Sequence, residues 1–254
     1  MLKLIDMKKQ SKPIFRFTTN VCGNSRWRFI ATASLTVGII SGCNEFPEVS
    51  SEIVAPYEKN YEIVGSEKDS LLDSNHPAIY KTVDRENKGV EPVMIPVVPI
   101  EGKEVSLKTG RYIITGYPVG NIFIYDENRN LLLTELVGSY AGVRSLTVDI
   151  DASYTVRADG GYDSVQITPV STSLSTDLSA GLWNVGQDIE SGDYDIAIEL
   201  GYAYLHVFEE GKEPIVYELI GGTVGKTDGH VKLKEGQMLR VTKTSMLKFT
   251  PRDS

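Results

Sequence analysis

Cysteine is nearly absent from this chain of 254 residues, with Cys22 and Cys43 the two present. So few thiols exclude a disulfide-built scaffold and a cysteine zinc site. Histidine is almost as scarce: His76, His206 and His230 are dispersed, and their spacing suggests no metal site. His206 alternates with Tyr202, Tyr204 and Phe208, so it is expected on a packed core face. No G-x-S-x-G elbow occurs. No apolar run reaches the about 20 residues that a membrane-crossing helix needs; Phe29 to Ile40 has twelve.

Positive charge is also short, and it is unevenly placed. Residues 1–43 carry seven basic side chains and one acidic one, net +6, so a whole-chain charge of −8 leaves −14 for the rest. Such a surface disfavours nucleic acid and anionic lipid as partners, and it keeps an exported protein soluble.

What is present begins with that basic stretch. Lys3, Lys8, Lys9, Lys12, Arg16, Arg26 and Arg28 precede the uncharged run Phe29 to Ile40, after which Ser41 and Gly42 are small and Cys43 follows. A basic region, an apolar run of this length and a small-residue exit make a secretory signal. Met7, opening M-K-K-Q-S-K, is a second candidate start. Ile40-Ser41-Gly42-Cys43 resembles the bacterial lipobox. That resemblance implies cleavage between Gly42 and Cys43, thioether lipidation of Cys43 and acylation of its new amino group, palmitate-type. Two or three acyl chains hold a protein at a bilayer where one would not. The expected location is the cell membrane, lipid-anchored and facing outside, in a Gram-positive-type envelope.

Residues 43–92 are polar and acidic without sustained periodicity. They read as a flexible tether with one short helix near Glu67 to Asp73. A flexible tether of about 50 residues would reach roughly 40 Å. Val93 to Ile100 is apolar but carries Pro96 and Pro99, which fits an edge strand.

From Glu101 onward the pattern has period two. Leu146, Val148 and Ile150 alternate with polar residues, as do Tyr154, Val156 and Ala158 and also Val165 and Ile167, and Tyr194, Ile196, Ile198 and Leu200 alternate with Asp195, Ala197 and Glu199. Turn signals such as Asp159-Gly160-Gly161 and Glu210-Gly211-Lys212 separate them. The predicted class is all-β. Internal matches suggest a repeat: Thr109-Gly110-Arg111-Tyr112 with Ser191-Gly192-Asp193-Tyr194, Glu135-Leu136-Val137-Gly138 with Glu218-Leu219-Ile220-Gly221, Ile167-Thr168-Pro169 with Phe249-Thr250-Pro251, and Val156 with Val241. The expected organisation is a signal at 1–42, the tether at 43–92, a module at 93–170, a linker at 171–180 and a second module at 181–254. Each module would be a small β-sandwich or partly open barrel.

The second module opens A-G-L-W-N-V-G-Q-D-I-E-S-G-D-Y, from Ala180 to Tyr194. It resembles a recurrent β module of exported and envelope proteins, mostly Gram-positive, with the pattern A-G-aromatic, then V-G-x-D-I-x-x-G-x-Y. The first module is a drifted copy, with Glu104 in the place of Gly186 and Leu107 in that of Ile189. The resemblance brings no catalytic residues. Within it, Gly186 and Gly192 read as turn positions, and Trp183, Val185, Ile189 and Tyr194 as apolar anchors.

Three motifs look like chemistry and lack a requirement. Gly221 to Thr227 resembles a P-loop, but the required first glycine falls at Ile220 and no helix is expected next. Asp126 to Asn130 has calcium-loop spacing with Leu131 where glycine belongs, so a hairpin turn is expected. Asp149, Asp151, Asp159 and Asp163 could share a cation only if their loops converge. Tyr117, Tyr140, Tyr162, Trp183 and Tyr202 fall at turns or strand starts, where aromatics either grip a ligand or seal a small core. The functional expectation is a binding or scaffolding surface lipoprotein, not an enzyme, with no cofactor or metal. It would touch the bilayer through Cys43 and bind another envelope protein or a glycan. A carbohydrate-active or accessory enzyme with a carboxylate site between the modules stays open, as does a structural spacer.

Overall fold

The computed structural model describes residues 51–72, 77–223 and 225–252. Two short helices come first, α1 (Ser51–Asn60) and α2 (Ser66–Leu71), with β1 (Glu62–Ile63) between them and a 3-10 turn at Pro77–Tyr80 after them. The strands that follow are β2 (Val93–Pro96), β3 (Lys103–Ser106), β4 (Gly110–Tyr117), β5 (Val119–Tyr125), β6 (Leu131–Gly138), β7 (Leu146–Ile150), β8 (Thr155–Asp159) and β9 (Ser164–Pro169). After these come β10 (Asp177–Leu178), β11 (Ala180–Asn184), β12 (Gly192–Ala197), β13 (Gly201–Phe208), β14 (Ile215–Gly221), β15 (His230–Leu233), β16 (Met238–Thr242) and β17 (Leu247–Pro251). The fold is all-β and layered like a sandwich.

Period-two alternation becomes burial. In β8, Val156 and Ala158 are buried between half-exposed neighbours, and β12 buries Tyr194 and Ile196 between Asp193 and Asp195. A nine-stranded sheet runs β1-β14-β13-β16-β11-β7-β4-β9-β2, flanked by two four-stranded sheets, β10-β17-β12-β15 and β3-β8-β5-β6. All three are open sheets, so the barrel alternative gives way to layers. As Pro96 at its end requires, β2 lies at a sheet edge.

The pairing order recurs along the chain. β2-β9-β4-β7 has a counterpart in β10-β17-β12-β15, and β3-β8-β5-β6 in β11-β16-β13-β14. Local hydrogen bonding recurs too: the Tyr112 hydroxyl donates to the Lys108 carbonyl, and the Tyr194 hydroxyl to the Glu190 carbonyl. This pairing corrects three of the sequence matches. Ile124 faces Val156 and Val207 faces Leu239, so Leu239, not Val241, stands in the place of Val156. Asn121 faces Leu136 and Tyr204 faces Glu218, so the two E-L-[VI]-G strings are one residue out of step. A slip of one residue reverses the faces: Glu135 is buried, whereas Glu218 is half-exposed. Lys103 to Ser106 pair with β8 as Gly181 to Asn184 pair with β16, so Glu104 occupies the place of Leu182, not Gly186.

The two halves are not separated by a boundary, because the described residues cluster as one unit. β7 and β11 join in parallel through two residue pairs, Leu146 with Ala180 and Thr147 with Gly181. Gly181 is required there: its φ is 149°, and an added Cβ would fall 2.0 Å from the Thr147 carbonyl oxygen. The first-half core of Tyr112, Ile114, Ile122 and Ile167 also takes in Leu182, Phe208 and Met238 from the second half. The expected linker enters the sheets at β10 and at the start of β11.

The flexible tether is overturned over most of its length. Its residues up to 50 and 73–76 lie outside the described ones, but β1 pairs with β14, and Ile63, Ile79 and Val83 are buried. The Tyr57 hydroxyl donates to Glu218 at 2.6 Å. That hydrogen bond, with burial, pushes the phenol up to about 12. The segment is acidic, yet its few apolar side chains suffice to dock it, so the reach of a fifty-residue chain does not apply.

A charge cluster closes the junction. Arg111 on β4 faces Asp149 on β7. Arg111 Nη1 donates to Asp149 Oδ1 at 2.8 Å, and its Nη2 lies 3.0 Å from Asp188 Oδ1. Arg85, from the lead-in, donates through Nε to Asp149 Oδ2 at 2.9 Å and through Nη1 to Asp188 Oδ1 at 3.0 Å. Asp188 is fully buried, and its Oδ2 accepts the Asn184 backbone N–H at 2.7 Å. The Trp183 ring covers the Arg111 guanidinium, 4.8 Å from ring centre to Cζ. Removing one member of a buried ion cluster strands the others. Asp188→Ala should therefore cost about 3–5 kcal/mol in urea unfolding. Glu104→Ala, which breaks an exposed pair with Arg129, should leave the midpoint nearly unchanged.

Candidate functional site

Cys43 and Gly42 lie outside the described residues. Of the aromatic candidates, two come together. Tyr117 ends β4 and Tyr140 lies in the loop after β6. Their ring centroids are 5.6 Å apart, their hydroxyls 3.0 Å apart, and they are 45% and 74% exposed. The hydrogen bond to Tyr140 is the main cause raising the Tyr117 phenol above its ordinary value. The other three serve elsewhere. Tyr162 is buried: its hydroxyl donates to the Val137 carbonyl at 2.9 Å, and its ring fills the space left by Gly116 and Gly120. Trp183 donates through Nε1 to the Ser179 carbonyl at 2.9 Å, in addition to covering Arg111. Tyr202 is exposed, and its ring contact is with Tyr204.

The motifs resolve into local structure. Asp126 accepts from the backbone N–H groups of Asn128 and Asn130 and from the Asn130 amide, at 2.8–2.9 Å, so its carboxylate is used by the hairpin turn it starts. After Gly221 no helix follows; the Thr227 N–H and hydroxyl bond the backbone of Ile220, and the chain enters β15. The four aspartates diverge: Asp149 to arginines, Asp151 to Ser153 and Lys81, Asp159 to Asn121 and Arg157, and Asp163 bonds through its backbone to Val97 and Tyr117. Hydrogen bonds from Ser153 are the main cause holding the Asp151 carboxyl below its usual range. Among the described residues no group of three or more His, Cys, Asp or Glu is placed to hold a metal.

A cavity of about 280 Å3 opens between the halves, under the face of β13 and β16 that carries His206 and Arg240. Leu71, the last residue of α2, closes one side, and Leu131 and Leu133 of β6 close another. Alternation along β13 puts Tyr202, Tyr204, His206 and Phe208 on one face, with neighbouring rings 6.1–6.3 Å apart. His206 is buried, as that alternation predicts. Arg240 Nε donates to His206 Nδ1 at 2.7 Å, and Arg240 Nη2 donates to the Leu71 carbonyl at 2.9 Å. A guanidinium only donates, so Nδ1 is the acceptor and Nε2 carries the ring hydrogen. Among the described residues, that Nε2 has no hydrogen-bond partner.

Arg85, Arg111, Asp188 and Arg240 were not among the expected site residues. Asp188 had a signal, a charge inside the apolar run V-G-Q-D-I. Arg240, in M-L-R-V-T, had the same one.

Burial first, and the Arg240 charge second, hold the His206 imidazole well below its ordinary value. An unfolded histidine titrates near 6.5. Below that pH the unfolded chain takes a proton that the folded chain refuses. Stability should fall as pH drops through this window, by up to about 1.4 kcal/mol per pH unit. In His206→Gln, whose amide oxygen can still accept from Arg240, urea midpoints between about pH 7 and about pH 5 should fall less steeply than in the parent. No protein-family model matches the chain, and no curated protein is similar enough to be counted a relative.

Proposed function

We propose that this chain is a lipid-anchored surface protein that binds or scaffolds other envelope components, and that its two halves are copies of one module. The basic segment, apolar run and Ile40-Ser41-Gly42-Cys43 support the anchor. One observation carries the binding role. Tyr117 and Tyr140 form an exposed aromatic pair where β4 ends beside the loop after β6, and the buried Tyr162 ring packs against Gly116 next to Tyr117. Tyrosines held this way offer apolar area and hydroxyl groups at little entropic cost, which suits a glycan ring or a protein partner. The enzyme alternative needs a free carboxylate pair between the halves. Of the carboxylates described there, Asp149 and Asp188 are each engaged by two arginines, and Glu135 accepts the Lys243 backbone N–H, which counts against it.

Two measurements test this. Cys43→Ala should move the protein out of the membrane fraction, and it should take up no labelled fatty acid. A photo-crosslinking residue at position 140, in intact cells, should give a discrete adduct that weakens about tenfold when Tyr117→Ala removes about 1.4 kcal/mol of contact energy. The same adduct formed equally from the exposed position 212 would defeat the binding role.

A further inference from the structure

Strand pairing places two rows of side chains on the outer face of the nine-stranded sheet. Met94, Gln166 and Thr115 form one row across β2, β9 and β4, and Pro96, Ser164 and Tyr117 form the next. The residues between them along each strand, Ile95, Val165 and Ile114, are buried in the core, so both rows face outward. All six are exposed or half-exposed, and none carries a charge, in a chain of net charge −8. Arg111, further along β4, is buried under Trp183 and engaged by aspartates.

The second half shows that the fold does not require an uncharged face. There β10, β17 and β12 put Asp177, Lys248 and Ala197 where Met94, Gln166 and Thr115 stand. Asp195 lies opposite Thr250 as Ile113 lies opposite Thr168. Arg252 pairs with Asp195 at 3.5 Å, and Lys232 with Asp193 at 3.6 Å, among exposed side chains. One half thus has an ordinary charged, solvated face, and its counterpart presents hydroxyls, an amide and an aromatic ring. We infer that the uncharged face, with Tyr117 and Tyr140 at its end, is a binding surface for a neutral glycan chain; this rests on the binding role proposed above and names its ligand.

The chemistry of the rows separates a glycan from a protein partner. A sugar ring offers a face of C–H bonds, which packs on an aromatic ring, and a rim of hydroxyls that both donate and accept. The Thr115 and Ser164 hydroxyls and the Gln166 amide also do both, one or two strands from Tyr117 or on its own strand. Strands lie about 4.8 Å apart and successive residues on one face about 7 Å apart, so the rows cover roughly 10 Å by roughly 7 Å, the scale of a disaccharide. A protein interface would put apolar side chains at its centre, whereas the middle strand here presents Gln166 and Ser164. Asp163, exposed at the rim, adds to the Tyr140 hydrogen bond and to burial in raising the Tyr117 phenol. Its charge therefore reaches this end of the face and disfavours anionic sugars.

The test uses the full chain in a detergent without a sugar headgroup. It is titrated with neutral hexasaccharides of glucose, mannose, galactose and N-acetylglucosamine, and with anionic hexagalacturonate. The readout is the backbone amide resonances of β2, β4 and β9. At least one neutral glycan should shift Thr115, Tyr117, Ser164 and Gln166 saturably, and hexagalacturonate should bind about tenfold or more weakly. The double substitution Met94→Asp with Gln166→Lys copies the charges that the second half carries at the same places. It should leave the urea midpoint nearly unchanged and weaken the best glycan about tenfold or more. Undiminished binding in that variant, equal or tighter binding of hexagalacturonate, or no shift by any neutral glycan up to its solubility limit would each overturn the inference. If no glycan shifts the spectrum while the position-140 adduct proves to be protein, the glycan is wrong and the binding role stands. If there is neither shift nor adduct, both fall.

Discussion

Two arginines and two aspartates share a space largely closed to water, and the continuity of the fold depends on their charges balancing. β7 and β11 contribute only two residue pairs to the parallel joint, too few to hold two halves by backbone hydrogen bonds alone. Arg85, Arg111, Asp149 and Asp188 come from three separate parts of the chain: the lead-in, the first half and the second half. Desolvating each ion costs several kcal/mol, returned only when every partner is in position. The cluster therefore adds little net stability and strongly penalises any arrangement with one member out of place. Trp183 over Arg111 and the Asn184 N–H on Asp188 fix the second half to that geometry.

The shared core depends on the same registration. Leu182, Phe208 and Met238 pack with the first-half side chains while Leu205, Val207 and Leu239 face the second-half core. One stretch of the nine-stranded sheet is thus covered on both faces. That explains why β16 is buried at all five positions, Arg240 included, and why a charged residue there needs His206 and the Leu71 carbonyl as acceptors.

Strands were legible where one face is wet, because polar and apolar residues then alternate, as at Val156 and Ala158 or Tyr194 and Ile196. The paired Gly-x-Tyr turns were legible as well, since Tyr112 and Tyr194 each tie back to a carbonyl four residues earlier. Register within the matched strands was not. Glu135-Leu136-Val137-Gly138 and Glu218-Leu219-Ile220-Gly221 share letters but present opposite faces, and letters carry no information about the partner strand. The lead-in was read as a tether because its polar residues outnumber Ile63, Ile79 and Val83, although those three decide that it docks. Of the site, the tyrosine pair was visible only as separate residues, since the loop at 139–145 sets their meeting. Tyr162 resembled them in sequence and differs only because Gly116 and Gly120 leave room for its ring.

Asn60, the last residue of α1, has a consequence for how far this architecture can extend. Its side-chain amide donates to the His230 carbonyl at 2.7 Å and accepts the His230 N–H at 2.8 Å, so it binds the strand as a neighbouring peptide group would. His230 pairs with Asp195 as Thr147 pairs with Ile113, and Thr147 is where the second half joins the first. A third half, added by the same rule, would begin at His230. The side chain of Asn60 already holds that position, and Lys103 stands where Gly181 allows the close approach. The helix before the sheets thus occupies part of the open edge at β15, where another strand would otherwise find free backbone groups.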